Sequence, residues 1–443
     1  MAMEKSREEI LVDDRKLRDE IEKKHGKSVE ELFHEREKRL WDAVTLKVPD
    51  RVPVIFGGSY AACKYVGIPF SSVYYDAPAW KSAFKRMMVD FEPDGYGTIT
   101  AGAGTALDIL DSNYNWHPGG KLPPNVPHQV YEQEFMKEDE YDHFLFDPSD
   151  YIVRILLPRV YNSMKPLVNL PPLMDLGQNA NFIAALFDSP EYKQFGGVMK
   201  KAAKEQKKWD KAVGDFNKEM ASIGFPQDPF WMQRGGVQPP FSGFSNSFRG
   251  FKGVVIDMFR RPDKLKAALE KFLELRMRRA TPAVRQDGRP AMGGCGEAHR
   301  VSDEFFSKKQ FEEFVWPNWK RAIQKTFDLG YDTIGMLLEG RRDNQLEYLT
   351  EFPKGTFFIK LQDTDMFKAK EILGDRACLT GNVPISLLTA GSPTEVEEYC
   401  KKLIKVCGKN GGFILATSTT GYGETKPENV KAMIDSVEKY GRY

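Results

Sequence analysis

After a charged opening segment, short apolar runs alternate along the chain with longer stretches whose apolar residues recur at helical spacing. The runs predict strands at residues 52–56, 97–101, 167–170, 230–233, 290–294, 333–338, 356–361, 377–381 and 412–416. The helical pattern is clearest at 264–280, 308–329, 394–406 and 427–440. Strands apolar on both faces pair in parallel and must be covered by helices. Some eight such repeats point to a closed (β/α)8 TIM barrel. No Gly-x-Gly-x-x-Gly turn follows the first strand, which argues against a dinucleotide-binding sheet.

The pattern also sets the expected organisation. Residues 1–37 read as an N-terminal helical extension, with Ile10, Leu11, Leu17 and Ile21 forming a narrow apolar stripe against the barrel's outside. Residues 38–443 read as the barrel, interrupted by long loops at 102–165 and 221–250 that are positioned to line or cover an active site.

Composition narrows the field. Lysine plus arginine (64) almost cancels aspartate plus glutamate (63), so neither nucleic acid nor an anionic membrane is an expected partner. Five scattered cysteines without Cys-x-x-Cys spacing fit a reducing compartment, and the charged N-terminus is unlike a secretory signal. A cytoplasmic protein, compatible with a homo-oligomer, is the expectation.

The sharpest chemical signal is Pro290-Ala-Met-Gly-Gly-Cys-Gly-Glu-Ala-His-Arg. In an extended strand Cys295, Glu297 and His299 share one face. At a strand end they would converge as acid–base groups or metal ligands. The alternative is a core cysteine, a helix-capping glutamate and a surface histidine. Glu339 ends an apolar run before Gly340, a common position for a barrel carboxylate, unless it only pairs with Arg341 or Arg342. His299, Glu297, Glu339 and Cys295 together are the candidate metal set. Asp363 and Asp365 follow the next run, as a base or as a helix N-cap. Candidate substrate contacts are Tyr60, Asn382, Phe241, Tyr422 and Arg341. Phe230, Trp231, Phe244 and Phe248 would line an apolar pocket or anchor a loop. His117, His128 and His143 read as surface residues.

Several tracts resemble the uroporphyrinogen decarboxylase superfamily, which also contains corrinoid- and thiol-dependent methyltransferases. They include Gly411-Gly-Phe-Ile-Leu-Ala-Thr-Ser-Thr-Thr-Gly-Tyr-Gly, followed by the helix start Pro427-Glu-Asn. Pro240-Phe-Ser-Gly-Phe-Ser-Asn-Ser-Phe-Arg-Gly, Phe314-Val-Trp-Pro-Asn-Trp-Lys and Leu379-Thr-Gly-Asn-Val-Pro are similar in the same order. So is the opening Lys38-Arg-Leu-Trp-Asp-Ala-Val. Two departures qualify what the resemblance implies. Where the decarboxylase carries Arg-Gln-Ala-Gly-Arg-Tyr, this chain has Phe56-Gly-Gly-Ser-Tyr-Ala-Ala-Cys-Lys-Tyr, without the arginines that hold a porphyrin's carboxylates. Where the zinc methyltransferases carry His-x-Cys and a late cysteine, the aligned residues are Leu337, Glu339 and Thr419. Zinc is therefore not expected through the usual ligands.

The resemblance implies a corrinoid-dependent methyltransferase or demethylase. It would move a methyl group from a small donor, such as a methoxylated one, to cobalamin. No Asp-x-His-x-x-Gly corrinoid signature is present, so the cobalamin is expected on a separate carrier protein. Glu339 and His299 would protonate or polarise the donor oxygen, with Glu297 holding the histidine. The alternatives are a decarboxylase of a small non-porphyrin acid and a non-catalytic barrel subunit of a larger complex.

Overall fold

A computed structural model describes residues 10–97, 101–177, 180–285, 288–419 and 423–443. Seven parallel strands form one curled sheet in the order β2-β1-β7-β6-β5-β4-β3. They are β1 (Val54–Phe56), β2 (Gly95–Tyr96), β3 (Met292–Gly294), β4 (Thr333–Leu338), β5 (Phe357–Leu361), β6 (Ala377–Val383) and β7 (Phe413–Thr417). Residues 226–235 complete the ring between the edges β2 and β3. Tyr96 donates its N–H to Pro226 O, and Asp228 N–H donates back to Tyr96 O. On the far side Arg234 N–H reaches Met292 O and Gly294 N–H reaches Gly235 O. The fold is a (β/α)8 barrel, with this segment standing where a regular strand would be.

The predicted strand at 230–233 is instead a 3-10 turn, Pro229–Met232. Pro229 has no N–H to give a ladder, and Asp228 Oδ1 accepts the N–H of Phe230, which starts the turn. The predicted strand at 167–170 falls at the end of another 3-10 helix, Asn162–Asn169, which contains Pro166 and has no buried residue. An apolar run without a partner strand has nothing to pair with. The strand expected at 97–101 is seen as Gly95–Tyr96, and residues 98–100 lie outside the described residues. The remaining strands lie within a residue or two of their predicted positions.

The N-terminal segment does more than coat the exterior. It forms two helices, Asp14–His25 and Val29–Val44. The expected boundary at residue 37 falls inside the second. Leu40, Ala43 and Val44 from its last turns pack with Ile55, Met292, Phe358, Cys378 and Ile414, which point into the barrel. They close its floor, so the open end of the interior is the end where the strands terminate.

Alternation along each strand sorts the remaining residues. Phe358, Cys378 and Ile414 face inward, whereas Phe357, Ile359 and Leu379 join the larger cluster between sheet and helices. Among the described residues no helix is long and apolar enough to cross a membrane.

Candidate active site

The strand ends surround a cavity of about 230 Å3. Its apolar wall is formed by Phe56, Trp231, Leu337 and Leu361, and its polar groups include Glu339, Lys360, Thr380, Thr419 and His128. Leu337, Glu339 and Thr419, the residues at the positions of the zinc ligands in the resembling enzymes, all line this one space.

Glu339 and His299 meet at the rim. His299 Nδ1 lies 2.6 Å from Glu339 Oε2, and both side chains remain partly open to solvent. Backbone contacts hold the two loops together. Glu339 N–H donates to Ala298 O at 3.1 Å, and Ser242 Oγ bonds both the carbonyl and the N–H of His299. Beneath them Arg342 is fully buried. Its Nε donates to Glu339 O, while Nη2 donates to Glu297 O and Ala298 O. Burial pushes its pKa down to about 10. A guanidinium suits this task because its planar fork reaches several carbonyls at fixed angles.

The four residues of the candidate metal set do not converge. β3 ends at Gly294 with Met292 facing the interior, so Cys295 falls in the opposite register, between sheet and helices. It is buried and its thiol pKa is pushed well up by desolvation, while its carbonyl accepts from Trp319 Nε1. Glu297 is also fully buried, and its two carboxylate oxygens accept the backbone N–H groups of Phe241 and Ser242 at 2.8 and 2.7 Å. It caps the first turn of the helix Pro240–Ser247. Neither residue reaches the cavity, which corrects the expected catalytic and metal roles of Glu297 and the metal role of Cys295. Glu297 acts on His299 only indirectly, by holding the helix that carries Ser242. Among the described residues no three histidine, cysteine or acidic side chains are grouped to hold a metal. With leucine and threonine at the other two aligned positions, the donor set does not fit a thiolate-type zinc site.

The remaining candidates are dispersed. Phe241 is buried against Phe306 and does not line the cavity. Asn382 is buried and ties the neighbouring loop through Nδ2 to Gln362 O and Thr364 O. Arg341 is exposed near Glu304, and Asp365 is a helix N-cap. Asp363 is exposed above β5, its pKa raised by desolvation and then by Glu304. Tyr60 is buried, its hydroxyl bonded to Tyr74 and His128, so it touches the site by way of the histidine. Tyr422 lies outside the described residues.

Three groups at the cavity escaped the sequence reading. His128, expected at the surface, is brought to the mouth by the long loop, and desolvation lowers its pKa. Thr380 was hidden in an apolar run. Lys360 carried the detectable signal, a lysine inside Phe357-Phe-Ile-Lys-Leu, because lysine is rarely buried without a partner. Its partner is Asp228, fully buried and distant in sequence.

Comparison with known proteins agrees with this architecture. Residues 234–440 match the family model "Uroporphyrinogen decarboxylase (URO-D)". A uroporphyrinogen decarboxylase from Pseudoalteromonas atlantica is 32% identical over 76 residues, a match spanning 17% of this chain and 21% of that protein's length. The structure of a methyltransferase from Methanosarcina mazei superposes with a TM-score of 0.54 at 15% identity, covering 91% of this chain and 98% of that one. At that identity the likeness is one of fold.

Proposed function

We propose that this chain, whose residues 234–440 match the uroporphyrinogen decarboxylase family model, is a methyltransferase that demethylates a small ether-type donor, with a corrinoid as acceptor. The observation that carries this reading is the His299–Glu339 pair at the rim of a small, largely apolar cavity. An ether oxygen is a poor leaving group until it is protonated. His299 donates its Nδ1–H to Glu339 Oε2, which leaves Oε1 as the carboxyl oxygen that carries a proton to the donor. As the methyl–oxygen bond breaks and the methyl group passes to the acceptor, the Oε1 proton moves to the oxygen, the demethylated alcohol or phenol is released, and Glu339 is left as a carboxylate held by His299 Nδ1–H.

A corrinoid supplies the nucleophile that takes the methyl group. The cavity, at about 230 Å3, is below the roughly 300–1,000 Å3 of sites for drug-sized ligands. It suits a small donor and excludes a corrin ring, consistent with an acceptor presented over the mouth by a separate carrier.

Incubating the protein with methoxylated aromatic compounds and chemically reduced cobalamin, and following the cobalamin spectrum, tests the reading. Glu339→Gln and His299→Ala should each lower methyl transfer by about 10²–10⁴-fold. Full activity in both variants would remove the pair from the mechanism. A second reading, decarboxylation of a small acid, is favoured by the cation Lys360 in the same cavity. It requires carbon dioxide release with the methyl group retained, which the same incubations distinguish.

A further inference from the structure

Lys360 uses only part of its hydrogen-bonding capacity. It stands on β5 in register with Leu337 of β4 and Thr380 of β6, and all three line the cavity. Its ammonium has three donors. Among the described residues it has one ion-pair partner, Asp228 Oδ2, with the rings of Phe230 and Trp231 at 5.2 and 5.7 Å. Asp228 is fully buried and its other oxygen accepts the N–H of Phe230, so it anchors the ammonium from behind. On the adjacent strand Thr380 is 0% exposed, and its Oγ1 has no hydrogen-bond partner among the described residues. Buried hydroxyls are rarely left so in a complete site. An ammonium with spare donors and an unsatisfied hydroxyl, side by side at one level of the cavity, match the needs of an anion with more than one acceptor oxygen.

We propose that Lys360 and Thr380 form a subsite for a carboxylate of the substrate. The carboxylate sits at this level and the ether oxygen nearer the mouth. Glu339 lies two residues beyond Leu337, which is about 7 Å farther along the strand direction. One aromatic ring bearing its carboxylate and its ether on opposite carbons bridges such a gap, with Phe56, Trp231 and Leu361 against its faces. The ether end rests on the methyl-transfer reading of the site. The carboxylate end is tested independently of turnover.

Titration calorimetry on the full chain should compare 4-methoxybenzoate with its uncharged analogue 4-methoxybenzamide. The acid should bind about tenfold or more tightly, and Thr380→Val should weaken it about threefold to tenfold. Lys360→Met alone would leave Asp228 buried and unpaired, so the pair is removed together as Lys360→Met/Asp228→Asn, with folding checked by circular dichroism. That double variant should lose the preference for the acid. Equal binding of acid and amide, no binding of either, or a preference that survives the double variant overturns the subsite. Carboxylate preference without methyl transfer supports the subsite and sinks only the methyl-transfer reading. Methyl transfer without the preference does the reverse.

Discussion

Two glutamates, Glu297 and Glu339, stand just beyond the ends of neighbouring strands, yet they serve opposite purposes. Glu297 is fully buried on the helix side of the sheet, fastened to two backbone N–H groups. Glu339 stands two residues beyond the inward-facing Leu337 and reaches the cavity, where it meets His299. The difference is one of register. β3 stops with Gly294 facing inward, so Cys295 and Glu297 just after it lie away from the interior. β4 has Gly335 and Leu337 inward, so Glu339 follows into the mouth. A carboxylate after an apolar run is informative only once its phase is known.

The contrast breaks most sharply under Glu297→Ala. Losing two buried hydrogen bonds at a helix start, which orphans the N–H groups of Phe241 and Ser242, should cost about 3–5 kcal/mol, measured by chemical denaturation. A loss as small as that of a surface residue would mean that the helix is held otherwise. The effect should depend on pH. Desolvation raises the Glu297 pKa, so the folded chain retains this proton where the unfolded chain has released it. Its contribution is complete below the ordinary carboxylate range and declines as pH rises through the raised pKa. The stability gap between wild type and variant should therefore narrow as pH rises above the ordinary carboxylate range.

Arg342 joins the two glutamates through their carbonyls. Arg342→Lys keeps the charge but loses the fork, and should cost about 2–3 kcal/mol while disturbing methyl transfer as well. Unchanged turnover would detach the bracket from the His299–Glu339 geometry. Cys295→Ala should cost about 1 kcal/mol and leave turnover alone, since the thiol faces the helices. A large drop in turnover would return Cys295 to the site. Smallest of all is the stability effect of Glu339→Gln, within about 0.5 kcal/mol for a half-open residue, despite its expected loss of activity.

Much of the barrel was readable because inner strands announce themselves as apolar runs followed by helical spacing, as at 333–338 and 377–381. The failures have a common cause. The runs at 167–170 and 230–233 are apolar, but Pro166 and Pro229 sit where a ladder needs N–H groups, and hydrophobicity alone does not report pairing. At the site, His299 and Glu339 were legible as strand-end polar residues. Lys360 was visible as an anomaly but had no meaning without Asp228, 132 positions away. His128 gave no signal, because a loop histidine acquires its role from where the loop folds.

By itself, then, the sequence determined the barrel class, the positions of the strands in its second half and the loss of soft zinc ligands at Leu337, Glu339 and Thr419. The first two follow from local composition and spacing, which a chain carries wherever it folds, and the third from the family resemblance. Only the tertiary structure decided that Glu297 caps a helix and that the Val29–Val44 helix closes the floor. It also decided that Lys360, Thr380 and Glu339 share one cavity. Those outcomes depend on strand register and on contacts between distant segments, and neither is encoded in any short window of residues.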